Sequence, residues 1–159
     1  MQITINYTTL LETVKRSLSI IGKRSVDDQG GLLFDNITLG SREESIVYDY
    51  FLAAIVHIAA ELDKYISLES HTDTSYTLGI TLYDDYNDNL DDTIKEAING
   101  YLVAYALYSW FTVTAPRIHE KYLAEAKDAM AYLVKQCHHR QRPDTLPNPL
   151  RPKTDPLDT

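Results

Sequence analysis

The twelve-residue run Asp85–Glu96 is the sharpest place in this sequence to look for metal chemistry. Asp85, Asn87, Asn89, Asp91 and Glu96 stand at positions 1, 3, 5, 7 and 12 of the run. A calcium-binding loop draws oxygen ligands from those positions and needs glycine at the sixth for its sharp turn. Leu90 occupies the sixth position. The residues before the run read as a strand, whereas a calcium loop follows a helix. The expectation is therefore a helix start rich in capping residues, with no metal requirement.

The other chemistry-bearing residues converge less. Cys137, His138 and His139 are consecutive. Neighbours on a helix point in different directions, so they make a poor chelate. With Arg140 and Arg142 they complement the negative end of a helix; a contact of Arg140 and Arg142 with phosphate or DNA is the lesser reading. His57 and His119 are expected to lack a metal-ligating partner one turn on, and His71 to sit in a loop. Glu43, Glu44 and Glu61 suggest a helical carboxylate enzyme that binds magnesium. Such a site needs a second acid pair, and Glu120, Glu125 and Asp128 do not supply one at the required spacing. No nucleophile elbow, phosphate-binding loop or dinucleotide fingerprint occurs. The expectation is no catalytic residue, no metal and no cofactor.

Composition narrows the class. The chain has 159 residues, the size of one domain, and 44% of them are hydrophobic, enough for a real core. Its one cysteine, Cys137, excludes an internal disulfide and fits a reducing compartment. The first residues lack the basic and apolar segments of a secretory signal. No apolar run approaches the ~20 residues that span a bilayer, so no membrane partner is expected. The sequons at Asn6 and Asn36 then carry no glycan. Net charge is −8, unevenly spread: −13 over residues 27–96, +3 over 1–26 and +2 over 97–159. No dominant basic face for nucleic acid follows from that pattern. It suits either a solvated acidic face or subunits that meet acidic side to basic side.

The elements follow from periodicity. Residues 2–7 alternate as a short strand. Thr9–Glu12 reads as a capping box opening a helix with the stripe Leu10, Leu11, Val14, Leu18 and Ile21, closed by Gly22. Residues 23–40 read as a loop that docks on the core through Leu32, Leu33 and Phe34. Ser41–Glu44 is a second capping box, and its helix is expected to reach about Ile66. Residues 67–75 read as polar connector. Residues 76–83 alternate strictly as a strand, paired with 2–7 or with a neighbouring chain. A third helix holds Ile94, Ile98, Tyr101, Leu102, Tyr105, Tyr108 and Phe111, and should be central because it is apolar on more than one side. A fourth starts near Pro116, with Tyr122, Leu123, Ala126, Met130, Leu133, Val134 and Cys137 along its stripe. The predicted core lies between helices two, three and four, with Phe51, Ile55, Ile98, Leu102, Leu133 and Val134 buried. The fold class is mainly α: a bundle of about four helices with a small β element.

Two features point to assembly. There are twelve tyrosines against three phenylalanines. Tyr48, Tyr50, Tyr101, Tyr105, Tyr108, Tyr122 and Tyr132 fall on helices, and tyrosine suits either a wet core edge or a subunit contact. Residues 1–142 form the helical domain; residues 143–159 are a separate arm with prolines at 143, 147, 149, 152 and 156. Proline favours extended chain. Leu146, Leu150 and Leu157 give the arm apolar points for a partner's groove. The strand residues Tyr76, Leu78, Ile80 and Leu82 are the other candidate interface between copies.

The stretch LLFDNITLGSREESIVYDYFLAAIVHIAAEL, the strand YTLGITL, the segment IKEAINGYLVAYALYSWF and the closing PRIHEKYLAEAKDAMAYLVKQCHHRQRP together resemble head–tail connector proteins of tailed bacteriophages, of the Bacteroidetes phage and prophage type. The resemblance spans roughly residues 8–143 and does not include the arm. It implies a helical, non-enzymatic neck or adaptor subunit in the virion, made in the bacterial cytoplasm. The implied partners are copies of itself in a ring, the portal and other neck or tail proteins. Packaged DNA would pass nearby without sequence-specific binding. A tail-completion or other virion protein is the nearest alternative. A small metal-dependent enzyme or regulator built on the acidic middle is the rival from another class.

Overall fold

A computed structural model describes residues 2–24, 39–81, 91–116 and 118–138. In chain order they form β1 (Gln2–Asn6), α1 (Tyr7–Arg24), α2 (Ser41–Glu61), β2 (Ile66–His71), β3 (Ser75–Ile80), α3 (Asp91–Thr114) and α4 (His119–Cys137). The mainly α class with a small β element is what is found. Leu32, Leu33, Phe34, Leu82, Asp85, Asn87, Asn89, Leu90 and everything from His139 onward lie outside the described residues.

The sheet is antiparallel in the order β1-β3-β2. The pairing of residues 2–7 with the second predicted strand is present, with Ile3 opposite Leu78 and Ile5 opposite Tyr76. Side chains directly opposite share a face, so Ile3, Ile5, Tyr76, Leu78 and Ile80 form one buried apolar layer. A third strand lies where polar connector was expected. β2 buries only Ile66 of its six residues. An edge strand with one face wet and a register shift between Leu68 and Ser70 loses the strict alternation that reveals strands in sequence. The β2–β3 turn is fastened by Thr72, whose hydroxyl oxygen accepts from the backbone N–H of Thr74 at 3.3 Å and of Ser75 at 3.1 Å.

Gly79 leaves room on this sheet for a side chain of the neighbouring strand to cross it. A Cβ on Gly79 would stand 2.1 Å from Glu69 Oε1 and 2.6 Å from Ser67 Oγ. Glu69 reaches across β3 here, and Gln2 of β1 donates Nε2–H to its Oε2 at 2.5 Å. One side chain thus clasps all three strands over the glycine.

Helix boundaries correct the sequence reading in five places. α1 starts at Tyr7 because Asn6 is its cap: Asn6 Oδ1 accepts from the N–H of Thr8 at 2.9 Å and of Thr9 at 3.3 Å. Thr9 is inside the helix, which also runs through Gly22 to Arg24. α2 has Gly40 as its cap residue without a side-chain cap bond, so Ser41 does not close a capping box. α2 ends at Glu61, and Ile66 already belongs to β2. α4 begins at His119, with Pro116 in the turn before it.

α3 is central, as its two-sided apolar pattern requires. It packs on α1, α2 and most extensively on α4. Phe51, Ile55, Ile98, Leu102 and Leu133 are fully buried, while Val134 is only partly so. The core is one cluster running from Ile3 to Cys137.

Candidate functional site: a tyrosine-lined groove between three helices

The carboxylates singled out in the sequence go separate ways. Lys15 Nζ bridges Glu44 at 2.7 Å and Glu12 at 3.1 Å, tying α1 to α2. The hydrogen bonds to Glu44 and then Glu12 raise the lysine's pKa. Glu43 folds back over Gly40. Glu61 lies about 26 Å further along the same helix at 1.5 Å per residue. Of the supposed calcium loop, Asp91 and Glu96 fall in the first turns of α3. Among the described residues no three His, Cys, Asp or Glu side chains group to hold a metal ion.

The histidines have other work. His71 belongs to β2, not to a loop, and stacks on Tyr76 with centroids 5.6 Å apart. The His119 ring bonds the carbonyl oxygen of Pro116, locking the turn into α4. His138 Nδ1 donates to the Val134 carbonyl at 2.7 Å, which leaves Nε2 to accept from Tyr65 Oη at 3.3 Å. This pins the end of α4 to the turn after α2. Cys137 is fully buried, and burial pushes its thiol up to about 11.

His57 corrects an expectation: it does have a partner one turn on. Its Nε2 is 4.0 Å from Glu61 Oε1, and its Nδ1 is 2.5 Å from Tyr101 Oη. Spacing i, i+4 on a helix was the available signal; the Tyr101 contact crosses from α2 to α3 and has no local signature. Burial, then Tyr105 and then Glu61 push the Tyr101 phenol above its ordinary value of 10.0. A phenol so held keeps its proton. It serves as a neutral hydrogen-bond donor to His57, the reverse of what a tyrosinate nucleophile requires.

This trio forms one end of a groove of about 370 Å³ between α2, α3 and α4. α3 contributes Tyr101, Tyr105 and Tyr108, one above the other at spacings of four and three. Their rings stand 5.8 Å and 6.1 Å apart. α4 contributes Leu123, Ala126, Met130 and, at the rim, Lys127. The floor is apolar, and the rim carries one negative and one positive side chain. Such a surface suits an apolar ligand with polar groups facing Glu61 and Lys127.

The interface candidates divide. Tyr76, Leu78 and Ile80 are buried in the chain's own core, and β3 is paired on both edges. They have no free face to offer a second copy, so that assignment is corrected. Leu82, Leu146, Leu150, Leu157, Arg140 and Arg142 lie outside the described residues. Among the helical tyrosines, Tyr101 and Tyr122 are buried, Tyr48, Tyr50, Tyr105 and Tyr108 are partly buried, and Tyr132 is exposed. No family model, no curated protein and no solved structure matches this chain.

A face missed in the sequence lies on α2. Between Tyr50 and Ala60 that helix has no Asp, Glu, Lys or Arg. Its core side is Phe51, Ala54, Ile55 and Ile58. Its outward positions Leu52, Ala53, Val56 and Ala60 are apolar too, with Leu52 44% and Val56 52% exposed. A continuous apolar run hides this, because periodicity cannot separate two apolar faces.

Proposed function

We propose that this protein is a structural ring subunit of a bacteriophage neck, joining portal and head to tail around the DNA exit channel. The observation that carries assembly is the outward face of α2. A helix side turned to water is ordinarily charged or polar. Leu52 and Val56, one turn apart, with Ala53 and Ala60 beside them, leave an uncharged strip instead. Apolar strips of this kind mark subunit contacts. Other exposed large hydrophobic side chains are Ile20, Ile46, Leu68, Tyr132 and, near the end of α3, Val113 at 74% exposure.

The phage assignment rests on the sequence resemblance, and the mechanism is geometric. A face of one copy meets a different face of the next, and a rotation that closes gives a ring. The acidic middle and the more basic flanks favour such unlike-face contacts. Electron micrographs of the purified full chain test this: closed rings with an axial opening are expected, and chains tagged in their phage host should co-purify with portal protein. Featureless single particles and no virion protein among the partners would contradict the proposal.

A further inference from the structure

We propose that a trough between α1 and α3 receives the outward strip of α2 from a second copy of this chain. The inference rests on the ring reading, which uses that strip, and names the face that the strip meets.

The trough has a volume of about 470 Å³. Thr9, Thr13 and Ser17 of α1 form one wall, and Gly100, Val103 and Leu107 of α3 the other. It continues past Asn99 to Lys95. The α1 wall is less polar than its residue types suggest. Thr13 Oγ1 donates to the Thr9 carbonyl at 3.1 Å, so that hydroxyl is spent on its own helix. Gly100 points to an occupant from outside. Glycine within a helix costs stability relative to alanine. Beyond its own stretch of helix, no atom among the described residues lies within 4 Å of where its Cβ would be. The chain's own packing therefore gives no reason for the missing side chain, whereas close approach of a second backbone does.

The strip matches the trough in length and in charge. Leu52 to Ala60 on α2 and Asn99 to Leu107 on α3 each rise by about 12 Å. Asp49 stands one turn before Leu52, and Lys95 one turn before Asn99; both are exposed. At the other end, α4 runs back along α3 from the turn between them, which sets Glu125 of the trough rim level with Leu107. Glu125 pairs with Lys121 at 3.7 Å, and Asp63 and Lys64 lie exposed just past the end of α2. With the two helices running the same way, Asp49 meets Lys95, and Asp63 and Lys64 meet Lys121 and Glu125. The reverse direction brings Asp49 to Glu125 and Lys64 to Lys95, two like-charge approaches. Strip and trough share no residue. The contact thus joins unlike faces, as a ring requires.

The test uses two forms of the full chain with different tags, one carrying Ala53→Cys and the other Gly100→Cys, co-expressed and then oxidised. Matching Asp49 to Lys95 puts positions 53 and 100 at nearly the same level, and a disulfide forms only where Cα atoms come within about 7 Å. Disulfide dimers of unlike chains, joined at the two substituted positions, are the expected result. Dimers of like chains only, or no dimer, would overturn the proposal. Gly100→Trp is the second arm, since a large side chain there has open space in the single chain but fills the trough. Its melting temperature should stay near the parent's while its mass in light scattering falls to that of one chain. A multimer indifferent to Gly100→Trp, or a variant that unfolds, would overturn the proposal. If Leu52→Glu dissolves a multimer that gives no unlike-chain disulfide, the ring reading stands and this inference falls. Unlike-chain disulfides in open filaments would keep this contact and remove the closed ring.

Discussion

At the scale of single residues, the buried groups set how the protein responds to truncation and to pH. Leu102 is fully buried on the central helix. Leu102→Ala should cost about 2–5 kcal/mol in denaturant unfolding, as truncating a large core side chain does. An effect near zero would mean that α3 does not present this face to the core. Alkaline pH is the second probe. The Cys137 thiol is raised from 9.0 to about 11 by burial, and the Tyr7 phenol from 10.0 to about 12 by burial and then by Tyr76. Both groups are neutral when protonated, and folding favours that form. The stability they contribute is full below pH about 9 and is lost as pH climbs through about 11 and 12. Equilibrium unfolding between pH 7 and 12 should show a plateau and then a decline. A steady fall from pH 7 would assign alkaline instability to other groups. The same burial predicts that Cys137 reacts with iodoacetamide only in unfolded chain.

At the scale of elements, strongly periodic segments were legible and their ends were not. α3 reads as central because apolar residues occupy more than one side, and it is central. β1 and β3 read as partners because both alternate, and they pair in register. β2 escaped because an edge strand with one buried residue and a bulge leaves no periodic trace. The caps at Thr9 and Ser41 were misplaced because a matching tetrapeptide competes with whatever the chain offers just upstream, here Asn6 and Gly40. The groove was half legible. Tyr101, Tyr105 and Tyr108 share a face by spacing alone, but which sides of α2 and α4 meet them is decided by packing. Gly100 supplies a test at this scale. It lies inside α3 with open space where its Cβ would be. Gly100→Ala should therefore stabilise the chain by roughly 0.5–1 kcal/mol through helix propensity. A loss of stability in thermal or denaturant melts would show that something packs closely there.

At the scale of the whole molecule, one core holds the fold together, and the ring proposal assigns assembly to an uncharged outward strip on α2. The strip on α2 is not part of the core cluster. Leu52→Glu should consequently leave the melting temperature within a few degrees of the parent, in keeping with the small effects of most surface substitutions, while assembly is lost. A large drop in melting temperature would place Leu52 in the fold rather than in a contact. The most direct measurement is the mass of the full chain in solution, by light scattering across a concentration series, beside the Leu52→Glu variant. One chain has a mass of 18.1 kDa. A discrete species of several chains that collapses to single-chain mass in Leu52→Glu is the expected result. A parent that stays at single-chain mass at every concentration, or a multimer indifferent to Leu52→Glu, would contradict it.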